Sequence, residues 1–139
     1  MKNILVTGAS GFIGKSICKN LLKSRRSFHA TVRSLNLIKL NTDIKYFSVG
    51  NINNQTNWKE ALINTDCIIH CAGRAHVMNE VKVNELQNFY SVNVDGTKQL
   101  AEQAAEAGVK KLVFLSSIKV NGESTYKRYN EADLNDKKK

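Results

Sequence analysis

The sequence predicts an α/β fold: a doubly wound parallel sheet of Rossmann type, with five strands in the order 3-2-1-4-5. Short apolar runs alternate with amphipathic helical stretches along the 139 residues. The first run passes straight into a helix through the glycine-rich stretch "LVTGASGFIG" (5–14). Five such runs, each separated from the next by helix-forming or irregular chain, call for parallel pairing with right-handed crossovers.

Each element follows from its own pattern. "NILVTG" (3–8) reads as a buried strand. From Gly11, Ile13, Ile17, Cys18, Leu21 and Leu22 recur at helical spacing, with Lys15, Lys19 and Lys23 facing elsewhere, so a helix runs to about Ser24. "HATVRS" (29–34) is the second strand and "KYFSV" (45–49) the third. "NWKEAL" (57–62) makes a short helix, and "DCIIHCA" (66–72) is the fourth strand. Residues 85–107 form the longest element. On a single 3.6-residue period, Leu86, Phe89, Tyr90, Asn93, Gly96, Thr97, Leu100, Ala101 and Ala104 share one stripe, expected to be buried. Asn93, Gly96 and Thr97 read there as small residues that let helix and sheet approach. Gly108 is a ready left-handed terminator. "KKLVFLSS" (110–117) is the fifth strand, and 118–139 is expected to be an irregular tail of a single 1–139 domain.

Composition narrows the function classes. With 42% hydrophobic and 24% charged residues the chain has the make-up of a soluble globular domain. No apolar run reaches a membrane-spanning length, and the first ten residues are too short an apolar stretch for a signal peptide, so a cytoplasmic location is expected. Cys67 and Cys71 fall on one strand, about 13 Å apart, beyond disulfide reach. The net charge of +9 is concentrated early: residues 1–50 carry nine Lys/Arg against Asp43 alone. Such a basic third can draw a phosphorylated ligand or nucleic acid, or simply solvate a helix face. No nucleic-acid motif or aromatic stacking platform accompanies it, so no nucleic-acid partner is expected.

The spacing Gly8-x-x-Gly11-x-x-Gly14 follows a strand and opens a helix inside a βαβ unit, the context in which a glycine motif binds a dinucleotide. Gly8 lets the strand turn, Gly11 lets backbone approach a pyrophosphate, and Gly14 lets helix and strand pack closely. The helix N-terminus supplies free N–H groups and a favourable dipole. Ser10, Phe12 and Ile13 belong to the same loop and are taken with it as cofactor-binding. "TGASGFIG" resembles the signature of the extended short-chain dehydrogenase/reductase family, the NAD-dependent epimerases and dehydratases. "DCIIHCAGRAHVMN" (66–79), "NVDGT" (93–97) and "VFLSSIKVNGE" (113–123) resemble further segments of it. Within that family the chain is most similar to UDP-glucose 4-epimerase-like nucleotide-sugar enzymes, and the resemblance runs over essentially its whole length.

A Rossmann site places an acid after the second strand for NAD, or an arginine for the 2′-phosphate of NADP. The chain has Arg33 there, 19 residues past Gly14 and with no acid nearby. The cofactor is therefore NAD or NADP, with a lean to NADP; an arginine solvated beside a ribose is the alternative. The resemblance sets "GNI" (50–52) against the family's Gly-Asp-Leu/Ile, so Asn51 would accept from the adenine amine and Ile52 would pack on the base. Ala72, Gly73 and Arg74 would lie beside the cofactor, with Arg74 facing either a phosphate or solvent. Cys67, His70, Cys71 and His76 suggest a metal knuckle only superficially. His70 and Cys71 point to opposite strand faces, so no metal is expected and His70 reads as a hydrogen-bonded core residue.

In the family, a Tyr-x-x-x-Lys pair and a Ser or Thr move the proton while hydride passes between the sugar and nicotinamide. The serine maps to Ser117, five residues before Gly122. None of Tyr46, Tyr90, Tyr126 and Tyr129 has lysine four residues on, and 22 residues follow Ser117, fewer than the family's spacing to its tyrosine. The expectation is the cofactor-binding part of a nucleotide-sugar epimerase, dehydratase or 4-ketoreductase, inactive by itself. A non-catalytic NAD(P)-binding sensor module is the alternative. The resemblance implies a nucleotide sugar as substrate and no membrane partner; the fifth strand would be left as an apolar edge where the family's further strands would normally pair, so a homo-oligomer is expected.

Overall fold

In the computed structural model, which describes residues 3–37, 41–74 and 82–117, the chain forms one five-stranded sheet. In chain order the elements are β1 (Ile4–Thr7), α1 (Phe12–Lys23), β2 (Phe28–Val32), a 3-10 turn (Leu35–Leu37), β3 (Lys45–Ser48), α2 (Lys59–Leu62) and β4 (Cys67–His70). There follow α3 (Lys82–Tyr90), a π-helical turn (Ser91–Asp95), α4 (Gly96–Glu106) and β5 (Lys111–Phe114). Every strand pair is parallel and the spatial order is β3-β2-β1-β4-β5, the predicted topology. The register sets Val6 beside Ala30 and Ile69, and Thr7 beside His70. The strands are one to four residues shorter than the apolar runs suggest, and the ends of β1, β2 and β4 turn out into the loops that form the site. The segment 75–81, including His76, and the tail 118–139, with Gly122, Tyr126 and Tyr129, lie outside the described residues. No helix among the described residues is long and apolar enough to cross a membrane.

Strand alternation sorts the core into two layers. On one face Val6, Ala30 and Val32 pack with Cys18 of α1 and Ile44, flanked by Ile17, Leu21, Leu22 and Cys71. On the other, Leu5 and Ile68 pack with Trp58, Ala61 and Leu62 around α2 and with Leu100 and Ala104 of α4. The four-residue α2 has little stability of its own. Gln103 of α4 fixes its entry: the side-chain carbonyl accepts from Trp58 N at 2.8 Å, and the amide donates to Thr56 O at 2.8 Å. Helix α4 ends as predicted at Gly108, with φ +75° and Val109 N bonded back to Ala104 O.

The long helix departs from its predicted face. The π-helical turn at Ser91–Asp95 admits an extra residue, so a single 3.6-residue period cannot run through it. Gly96, Leu100 and Ala104 are buried as expected, whereas Leu86 (63% exposed) and Tyr90 (55% exposed) face solvent, and so does Ala101. Among the described residues β5 pairs with β4 alone, and Val113 and Phe114 are substantially exposed.

Candidate functional site

The carboxyl ends of β1, β2 and β4 open into one cleft of about 660 Å³, at the position where an open parallel sheet binds its ligand. Gly8 turns the chain out of β1 with φ +66°. A Cβ there would stand 2.6 Å from Ala72 N and 2.7 Å from Ala72 Cα, so any side chain would push the loop away from β4. A Cβ on Gly14 would stand 2.8 Å from Gly8 C and 2.9 Å from Ala9 Cα; that glycine lets α1 begin directly against the loop. Gly11 precedes the first helical residue and its N–H donates to Gly8 O at 2.9 Å. It offers no side-chain cap, and the first turn of α1 holds no acid, so the helix N-terminus is suited to an anion.

The second wall comes from β2 and the loop after β3. Arg33 is exposed at the rim, and its carbonyl accepts from Ser48 Oγ at 3.0 Å and Gly50 N at 3.2 Å. The backbone is thereby fixed while the guanidinium projects from a defined point. Gly50 turns with φ +66°, and the loop beyond it is tied to itself through Thr56 Oγ1, which accepts from Asn53 N at 2.9 Å. A Cβ on Gly96 would overlap Ile52 Cγ2, so that glycine lets the loop seat on α4.

The third wall follows β4. The Asn93 amide brackets Arg74: Oδ1 accepts from Arg74 N at 2.8 Å and Nδ2 donates to Arg74 O at 2.9 Å. Gly73 lies under the same amide, where a Cβ would approach Oδ1 to 3.2 Å. Beneath the floor, Thr7 Oγ1 accepts from Cys71 N and Ala72 N, each at 3.2 Å, and lies 2.6 Å from His70 Nδ1. His70 Nε2 meets Thr97 Oγ1 at 3.1 Å. Burial pushes the His70 imidazole down to about 4, so it is neutral at pH 7. Burial likewise pushes Cys18 up to about 11 and raises Cys71, holding both as thiols. His70 faces α4 and Cys71 faces α1, as strand alternation requires.

Of the residues singled out in the sequence, Gly8, Ser10, Gly11, Arg33, Asn51, Ile52, Ala72, Gly73 and Arg74 line this single cleft. Gly14 packs behind it. Phe12 (94% exposed) and Ile13 project into solvent from the first turn of α1, outside the lining. Ser117 is exposed beyond β5 and is not part of the lining either. Sequence reasoning placed Asn93 among packing residues and missed its bidentate hold on Arg74; an amide on an otherwise small-residue stripe was the available signal. Thr31, Ser34, Asn88 and Ser91 also line the cleft without having been singled out. Among the described residues the charged members of the lining are Arg33 and Arg74, with no acid beside them, a balance that favours an anionic ligand.

Comparison with known proteins agrees with this architecture. The chain is 44% identical over 126 residues to a UDP-glucose 4-epimerase of Vibrio cholerae, covering 89% of this chain and 37% of that protein. It is 33% identical over 119 residues to the decarboxylating sterol-4-alpha-carboxylate 3-dehydrogenase of Mus musculus, covering 86% and 31%. The solved structure of MoeE5 in complex with UDP-glucose and NAD superposes with a TM-score of 0.76 at 28% identity, covering 96% of this chain and 42% of that one. The chain thus spans well under half the length of each. A family model matches residues 5–137, and the chain belongs to the 3-beta hydroxysteroid dehydrogenase/isomerase family.

Proposed function

We propose that the cleft holds NAD or NADP and that the chain is the cofactor-binding part of a nucleotide-sugar epimerase, dehydratase or 4-ketoreductase of the UDP-glucose 4-epimerase type. The observation that carries this reading is the glycine loop. A left-handed Gly8 pressed on the Ala72 backbone opens an uncapped helix into a cleft edged by two arginines. Gly11, Ser10 and the α1 N-terminus hold the pyrophosphate, with Phe12 and Ile13 beginning the helix and Gly14 letting it sit close. Asn51 and Ile52 receive the adenine, and the small residues Ala72 and Gly73 let the cofactor ribose lie close, with Arg74 beside them facing a phosphate or solvent. The lean to NADP rests on Arg33, whose forked guanidinium suits a 2′-phosphate.

Bound there, the nicotinamide supplies the acceptor and donor of hydride at sugar C4. Ser117 would hydrogen-bond the reacting sugar oxygen, and none of the four tyrosines in this chain fits the proton-transfer role, since none has lysine four residues on. This chain by itself is therefore expected to bind cofactor without turnover. A nucleotide sugar is preferred over a sterol because the epimerase relative is 44% identical and the sterol relative 33%. The same missing pair favours the second reading, a cofactor-binding sensor, which would bind dinucleotide but no UDP-sugar in any longer form of the protein.

The test is calorimetric titration of the chain with NAD and with NADP, alongside Arg33→Asp. The expected result is binding of both, with NADP affinity falling about 10- to 100-fold in the variant and NAD affinity changing less. Equal affinities in the two proteins would remove Arg33 from the assignment, and no binding of either nucleotide would overturn the reading.

A further inference from the structure

Thr7, His70 and Thr97 sit on three different elements, β1, β4 and α4, and their side chains form one buried chain of hydrogen bonds. Thr7 and His70 are almost fully buried, at 0% and 1% exposure. The direction of the bonds follows from valence. A hydroxyl has two acceptor lone pairs and one proton. Thr7 Oγ1 takes the N–H of Cys71 and of Ala72, each at 3.2 Å, which uses both lone pairs. Its proton is left for His70 Nδ1, 2.6 Å away. Nδ1 is therefore bare and the imidazole proton resides on Nε2, donated to Thr97 Oγ1 at 3.1 Å. The other tautomer would set an Nδ1–H against an oxygen with no lone pair free.

We propose that His70 is a positioning residue for the glycine loop: anchored by Thr97 as the Nε2–H tautomer, it aims the Thr7 hydroxyl at the Cys71 and Ala72 amides and so fixes the backbone against which Gly8 closes. Thr7 immediately precedes Gly8, and it is the Ala72 amide that a Gly8 Cβ would strike at 2.6 Å. The pinned amide and the crowded glycine are thus two sides of one contact. The stacked Phe114 ring, with centroids 5.9 Å apart, covers the imidazole and adds no competing hydrogen-bonding group. The residue acts through Thr7 and has no place in the cleft lining. This inference rests on the dinucleotide reading only for the significance of the loop, so its decisive measurements require no ligand.

The experiment compares the chain with Thr97→Val, which keeps the shape and removes the acceptor, and Thr97→Ser, which restores it. Nitrogen-15 NMR of the imidazole reads the tautomer, and amide hydrogen exchange reads the Cys71 and Ala72 N–H groups. The expected wild-type imidazole is wholly Nε2–H. In Thr97→Val, exchange at Cys71 and Ala72 should quicken about 10-fold, the effect of losing one buried hydrogen bond. Amides of β2 should be unchanged, and Thr97→Ser should return Cys71 and Ala72 to the wild-type rates. An Nδ1–H or mixed tautomer in the wild type overturns the proposal, as does unaltered or uniformly faster exchange in Thr97→Val. NAD titration of the same three proteins keeps the two readings apart. If the wild type binds no nucleotide, the cofactor assignment fails while exchange still decides the role of His70.

Discussion

At the glycine-loop end of the cleft, backbone meets backbone with no space for a side chain; at the Arg33–Asn53 end, side chains make the wall. Gly8, Gly14 and Ala72 touch through main-chain atoms, and the loop's position is fixed from below by the Thr7 hydroxyl. Around Arg33 and Asn51 both side chains are exposed, and the loop is held by its own turn bonds and by Ile52 seated on Gly96. On the proposed dinucleotide reading, the first end would meet the pyrophosphate that NAD and NADP share, whereas the second could change its preference by exchanging one exposed residue. A shared chemistry sits on rigid main chain, and the choice among ligands sits on replaceable side chains.

The comparison breaks most sharply at Gly8. Gly8→Val meets a left-handed φ and the Ala72 backbone together, so nucleotide affinity should fall about 100-fold or more, with about 2–4 kcal/mol lost from stability. Calorimetry and urea unfolding would read the two effects; wild-type affinity in this variant would mean that the loop is not held as described. A second prediction concerns what lies beneath that end. Burial holds His70 at about 4 against an ordinary 6.5, so the unfolded chain binds a proton that the folded chain refuses. Its contribution to stability is complete above about pH 6.5 and is lost as pH falls toward 4, on the order of 3 kcal/mol in all. Urea unfolding of wild type and His70→Gln between pH 7 and 4 should show a shallower acid decline in the variant, and parallel declines would contradict the assignment.

The wall at the Arg33–Asn53 end should answer more gently. Gly96→Ala drives a methyl into Ile52, whose side chain can turn aside, so a loss of about 1–3 kcal/mol is expected by urea unfolding. Nucleotide affinity should drop less than in Gly8→Val. A Gly96→Ala effect on affinity as large as that of Gly8→Val would erase the distinction between the ends.

The sheet was legible because its evidence is local and repeated. Each strand is an apolar run of its own, and the order 3-2-1-4-5 follows once the crossovers are right-handed. The cleft was legible in outline for a similar reason: Gly8, Arg33, Asn51 and Ala72, far apart in sequence, all stand just past a strand's carboxyl end. Two things were not legible. The burial of Leu86 and Tyr90 was misjudged because a period assumes uniform winding, and the sequence around Ser91–Asp95 carries no proline or glycine within the turn to announce the extra residue. The side-chain bonds of Asn93 and His70 depend on pairings across 19, 63 and 27 positions, which no single-chain pattern encodes.

The π-helical turn divides residues 82–106 into two angular frames. One residue of extra chain in a helix is a rotation of about 100°. Upstream of the turn, Leu86 and Tyr90, with Val94 inside it, mark an outward line; downstream, Gly96, Leu100 and Ala104 mark an inward one. The turn works as a phase step, allowing one continuous rod to show an apolar line to the sheet and another to the outside. Asn93 stands inside that step, so the unwinding that rotates one frame against the other is also what brings its amide onto Arg74.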